Sequence, residues 1–121
     1  MKYCKILIVD DSETDLVNLR TMLEGSNFEV STASSGEEAI SKAEAESPNL
    51  ILLDIVMEGI GGYHACREIT KNPKTAHIPV IFVSSKKQRA DLMWAMKQGG
   101  KSLVSKPYTK DQIMEQIETY S

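Results

Sequence analysis

Only two cysteines occur among the 121 residues, Cys4 and Cys66, and neither belongs to a CxxC pair or has a histidine at metal-ligand spacing. That excludes a disulfide framework and a sulfur-based zinc site. It fits free, packing thiols in a reducing compartment, so a cytoplasmic location is expected. There is no basic tail or stripe, and a formal charge of −3 gives nucleic-acid binding no electrostatic support. No apolar run approaches the ~20 residues that cross a bilayer, so no membrane insertion is expected. The first apolar run leads straight into Asp10 and Asp11, unlike a secretory leader. The glycines form neither a GxGxxG pattern nor a P-loop, and Gly59, Gly61 and Gly62 read as turn residues. His64 and His77 have nothing placed to pair with them and read as surface side chains.

What is present is enough apolar residue, 41%, for one core in a chain of one-domain length. Lys5–Val9, Asn49–Leu53 and Val80–Val83 are continuous apolar runs, the pattern of strands buried on both faces of a parallel sheet. Phe28–Ala33 and Ser102–Ser105 are weaker and are expected nearer the edges. Helical periodicity fills the intervals. Leu16, Leu19, Met22 and Leu23 share a face after Ser12. Ser35 and Glu38 form a capping box before Ala39, Ile40 and Ala43. Cys66 and Ile69 mark a third helix bounded by Pro73, and Leu92, Met93 and Met96 a fourth closed by Gly99-Gly100. Thr109 and Gln112 cap a fifth, with Ile113 and Ile117 inward. Five βα repeats predict an α/β doubly wound sandwich, a five-stranded parallel sheet with helices on both faces. Residues 1–121 are expected to form one unit with no output domain.

In such a sheet, chemistry collects at the carboxyl ends of the strands. The first predicted strand ends in Asp10-Asp11, the third in Asp54, the fourth in Ser84-Ser85 and the fifth in Lys106-Pro107. Taken singly, each has a plain reading as a helix cap, a turn residue or a solvated lysine. Together they place three carboxylates, a hydroxyl and an ammonium on one rim. Clustered carboxylates repel one another unless a cation sits among them, and hard oxygen ligands select Mg²⁺ or Mn²⁺. A half-filled shell leaves room for a phosphoryl oxygen. Lys106 and Ser84 are then placed to neutralise and hydrogen-bond a phosphoryl group attacked by Asp54.

VDDS at Val9–Ser12, LLDIVM at Leu52–Met57, the hydroxyl residue after VIFV and SKP at Ser105–Pro107 stand in the order and spacing of CheY-like response-regulator receiver domains, which the whole chain resembles. The resemblance implies a flavodoxin-like fold, with Asp54 as the phosphoacceptor. It implies Asp11 as a direct Mg²⁺ ligand, Asp10 as a ligand acting mainly through water, and the Val56 backbone carbonyl as a further ligand. Ser84 takes the switch-hydroxyl position, Lys106 the phosphoryl-binding lysine position, and Lys106-Pro107 a cis peptide. CREITKNPKTAHIPV at 66–80 and DLMWAMKQGG at 91–100 further resemble the PilH-type receivers of type IV pilus and twitching-motility systems. That implies a histidine kinase of the chemotaxis-like type as donor. The downstream protein target would dock on the face of the fourth helix, fifth strand and fifth helix. The implied protein is a switch with self-catalysed phosphotransfer and autodephosphorylation rather than an enzyme, acting on a target or as a phosphate sink for the kinase.

Two departures stand out. Leu103 occupies the position where the family has Tyr or Phe, which removes the ring that usually couples to the switch hydroxyl. Movement on phosphorylation is therefore expected mainly around Lys86–Trp94. Glu58 replaces a common proline and is expected to add a carboxylate near the metal. Trp94 reads equally as packing or as partner-facing, and Lys86, Lys87 and Arg89 as a solvated helix start. A small Mg²⁺-dependent phosphohydrolase is the rival enzyme reading. It would need a second acid two residues after the nucleophile, where this chain has Val56.

Overall fold

The computed structural model describes residues 4–85 and 89–121, without the side chains of Arg89 and Ala90. The expected helix start at Lys86 and Lys87, and the first part of the segment expected to move, lie outside the described residues. Five strands alternate with five helices: β1 Cys4–Val9, α1 Glu13–Leu23, β2 Phe28–Ala33, α2 Gly36–Glu46, β3 Leu50–Asp54, α3 Gly61–Lys71, β4 Val80–Ser84, α4 Arg89–Lys97, β5 Ser102–Ser105 and α5 Lys110–Tyr120. The sheet is wholly parallel in the order β2-β1-β3-β4-β5. This is the doubly wound sandwich the alternation predicts. The three continuous apolar runs are the three central strands, and the two weak ones are its edges.

Side chains alternate across the sheet and feed two cores. Ile6, Ile8, Leu50, Leu52, Ile81 and Val83 face α1 and α5, where Leu19, Leu23, Ile113 and Ile117 meet them. Leu7, Val9, Ile51, Leu53 and Phe82 face the opposite layer, packing with Ala39 and Ala43 of α2, Ala65, Cys66 and Ile69 of α3, and Ala95 of α4. Burying Leu or Ile side chains of this kind is worth roughly 1.5–3 kcal/mol each, which makes two-sided burial the main stabilising term for β1, β3 and β4. Caps fix where the helices begin. Ser12 Oγ accepts from Asp15 N–H at 3.3 Å, and Thr109 with Gln112 forms a complete capping box. The predicted box at Ser35 is half formed. Ser35 Oγ accepts from Glu38 N–H, while the Glu38 carboxylate reaches one residue further back, to Ser34 N–H at 2.8 Å.

The fourth helix turns its apolar residues outward. Leu92, Met93, Trp94 and Met96 are 44%, 66%, 50% and 37% exposed, so of the residues that mark this helix in the sequence none anchors it. Among its described side chains, Ala95 is the buried one. Trp94 is both packed and exposed: its ring meets Tyr63 edge-on with centroids 6.3 Å apart, and Lys97 Nζ lies 5.9 Å from it. Both cysteines are free and buried. Burial pushes the Cys66 thiol up to about 12, so it stays protonated and unreactive. His77 is exposed as expected, whereas His64 has a neighbour, with Nε2 3.5 Å from Glu68 one helical turn on.

Gly61 and Gly62, read in the sequence as turn residues, open α3. Gly62 is there because nothing larger fits. A Cβ at this position would stand 2.1 Å from the carbonyl oxygen of Asp54 and 2.8 Å from Cα of Ile55. Both obstacles are backbone of the strand end that carries the site, so neither can swing aside. Gly62→Ala should therefore cost about 2–3 kcal/mol, at the upper end for overpacking, measured as a drop in the urea midpoint at unchanged slope.

Candidate functional site

The crossing of the chain from one face of the sheet to the other, between β1 and β3, opens a crevice at the carboxyl ends of the strands. Asp10 and Asp11 follow β1, Asp54 closes β3, Ser84 closes β4 and Lys106 follows β5. Parallel register brings them level. Asp54 pairs with Val83 and Ser84 with Ser105, and Lys106 N–H donates to the Ser84 carbonyl at 2.7 Å. One carboxylate oxygen from each of Asp10, Asp11 and Asp54 lies within 4.8 Å of the other two. Among the described residues, no other group of three acidic, histidine or cysteine side chains is so arranged.

The three carboxylates differ in setting. Asp10 and Asp54 are buried, whereas Asp11 is open to solvent. Both oxygens of Asp10 have protein donors, Ser12 N–H on Oδ1 at 2.9 Å and Lys106 Nζ on Oδ2 at 2.9 Å. Asp11 accepts from Glu58 N–H at 3.1 Å. Glu58 thus meets the site with its backbone amide. Its carboxylate is not among the clustered oxygens. Ser84 is buried at the strand end. The Val56 side chain is 61% exposed on the loop after β3 and offers no acid. Leu103 lies partly buried against the core shared by α2, α3 and α4. The Lys106-Pro107 peptide is cis, as expected.

Lys106 is no solvated surface lysine. Its side chain is 21% exposed, and Nζ lies 2.9 Å from Asp10, 3.0 Å from Asp15 and 3.6 Å from Asp54. Burial works against the ammonium, but the bonds to Asp10 and Asp15 and the charges of Asp54 and Asp10 outweigh it and raise its pKa. Asp54 moves the other way from an ordinary carboxylate. Burial first, then the charge of Asp10, push it up to about 6, against the pull of Lys106 and the Ile55 N–H. A buried acid facing two other carboxylates, with one ammonium to offset them, fits a hard divalent cation by the chemistry of its donors. Asp15 is the residue the sequence reading missed. It lies in the first turn of α1, where an acid is already favoured by the helix dipole and so carries no special signal.

Residues 6–118 match the family model of the response regulator receiver domain. The chain is 39% identical over 113 residues to Protein PilH of Pseudomonas aeruginosa, spanning 93% of each, and 31% identical over 116 residues to Protein PilG of the same organism, spanning 96% of this chain and 86% of that one. Response regulator PleD of Caulobacter vibrioides is 36% identical over 103 residues, 85% of this chain but 23% of its own length. Among solved structures, a putative response regulator from Chloroflexus aurantiacus superposes with a TM-score of 0.93 at 26% identity, over 98% of both chains. The Vibrio cholerae chemotaxis protein CheY4 shares the fold, with a TM-score of 0.93 at 20% identity over 99% of this chain and 100% of that one. With the family model spanning nearly the whole sandwich and the acidic crevice at its rim, the chain belongs to the response regulator receiver domain family.

Proposed function

We propose that this receiver accepts a phosphoryl group onto Asp54 from a chemotaxis-like histidine kinase, and that it transmits the signal by protein contact in the control of type IV pilus motility. The observation that carries the reading is the crevice itself: buried Asp54 at the end of β3, with carboxylate oxygens of Asp10 and Asp11 within 4.8 Å and Lys106 at 3.6 Å. The pilus role rests on the likeness to Protein PilH and Protein PilG.

An Asp54 carboxylate oxygen attacks phosphorus in line. The new P–O bond forms as the bond from phosphorus to the donor's imidazole nitrogen breaks, and the electron pair leaves on that nitrogen. Lys106 balances the negative charge gathered on the transferred oxygens, and the Ser84 hydroxyl donates to one of them. Mg²⁺, or Mn²⁺ in its place, would be held by the carboxylates of Asp10, Asp11 and Asp54 and the Val56 carbonyl, and supplies further neutralisation of phosphoryl charge. Water then hydrolyses the acyl phosphate and restores the carboxylate. The residue two beyond Asp54, where a phosphohydrolase of this type would carry its acid–base group, is Val56.

The exposed apolar residues of α4 supply a surface for the downstream target. A run of four on one short helix is more than scattered surface hydrophobics require.

Incubation with acetyl phosphate and Mg²⁺ should add one phosphoryl mass, labile to hydroxylamine, and chelator should prevent it. Uptake of label at full stoichiometry by Asp54→Asn would overturn the assignment. Capture of a partner by the beryllofluoride-treated protein supports an effector role. Rapid dephosphorylation of the kinase without such capture would make the protein a phosphate sink.

A further inference from the structure

Asp15 has no part in the proposed phosphoryl transfer, yet it makes one of the two shortest ion pairs of the site. Its Oδ2 lies 3.0 Å from Lys106 Nζ, against 2.9 Å for Asp10 and 3.6 Å for Asp54. The position is fixed at the backbone, because Asp15 N–H donates to the Ser12 Oγ that caps α1. The ammonium is therefore drawn toward α1 and lies farther from Asp54 than from either other carboxylate.

We propose that Asp15 is a positioning residue that holds Lys106 in reserve, competing with the phosphoryl group on Asp54 for the ammonium. The proposal rests on the phosphoacceptor reading above. Its physical basis is the difference in solvation among the three partners. Side chains of Asp10 and Asp54 are each 10% exposed, whereas that of Asp15 is 41% exposed. Losing the ammonium would strand a buried charge at Asp10 or Asp54. At Asp15 the carboxylate turns to water, because Asp15 and Lys106 line an open groove with Asn18, Met22, Ser85 and Pro107. Asp15 is thus the partner that releases Lys106 at least cost when a stronger anion arrives. A partly exposed pair of this kind contributes modestly, so removing the competitor should strengthen anion capture by about two- to fivefold.

The test is calorimetric titration of beryllofluoride, a phosphoryl mimic, at saturating Mg²⁺. Asp15→Asn should bind it about two- to fivefold more tightly than the wild type, and Asp15→Glu should return toward the wild-type value. Glu13→Gln removes the same charge from the exposed start of α1 and controls for a general loss of negative charge. In chelator, where no anion mimic binds, the shift in melting midpoint caused by Asp15→Asn should differ by about 2 °C or more between the wild-type and Lys106→Met backgrounds, the mark of a coupled pair. Unchanged or weaker beryllofluoride binding by Asp15→Asn, or an equal gain in Glu13→Gln, would overturn the proposal and leave the acceptor reading intact. A wild type that binds no beryllofluoride would overturn both.

Discussion

Asp54→Asn should make the metal-free protein more stable, by about 1–3 kcal/mol near about pH 7.5, even though it destroys the proposed acceptor. Folding raises the Asp54 pKa from 3.8 to about 6 by burying the carboxylate and setting it beside Asp10. Between those values the native state holds more protons than the unfolded chain, so stability falls as pH rises through the window. Above about 6 the full cost of the buried charge is present, and below 3.8 none of it is. Asparagine keeps the shape and never ionises. Its advantage over aspartate should therefore be absent at low pH, grow across that window and level off above it. Urea unfolding in chelator at a series of pH values measures this directly. Saturating Mg²⁺ should narrow the difference, since a cation that binds only the native state stabilises it in proportion to the logarithm of its concentration over Kd. An asparagine variant less stable than wild type at neutral pH would show that Asp54 is not under electrostatic strain.

The second large effect concerns how the two acids after β1 divide their work. Asp11→Ala should weaken Mg²⁺ binding by about tenfold or more, the scale of loss for a direct charged ligand, while Asp10→Ala should cost less. Asp10 already has a donor on each oxygen, Ser12 N–H and Lys106 Nζ, and it is buried. A cation meeting it must compete with both or work through water. Asp11 is exposed, and its recorded donor among the described residues is Glu58 N–H on Oδ2. Metal titration of each would reveal the ranking, and equal losses would show that it is wrong.

Much of this was legible in the sequence because the fold repeats one simple pattern. Continuous apolar runs such as Leu50–Leu53 read as strands buried on both faces, and a sheet of such strands needs helices on either side. Once the strands were placed, their ends named Asp10, Asp11, Asp54, Ser84 and Lys106 without any coordinates. What the sequence concealed depends on directions across space. The apolar residues of α4 mark a helix in the sequence, but composition does not say which side of that helix meets the sheet. Ala95 makes that contact, and its larger neighbours are left outside. Glu58 was legible as a carboxylate in the right loop, but it reaches Asp11 with its amide. Asp15 was hidden for a different reason: an acid in the first turn of a helix is expected for local reasons, and only the long side chain of Lys106, arriving from 91 residues away, turns it into a partner of the site.

The central claim, that Asp54 is the acceptor, is tested most directly by trapping the acyl phosphate with borohydride, which reduces a phosphorylated aspartate to homoserine. Protein treated with acetyl phosphate and Mg²⁺, reduced, digested and sequenced by mass spectrometry should carry homoserine at residue 54 and aspartate at residues 10, 11 and 15. Homoserine at one of those other positions, with residue 54 unmodified, would contradict the account.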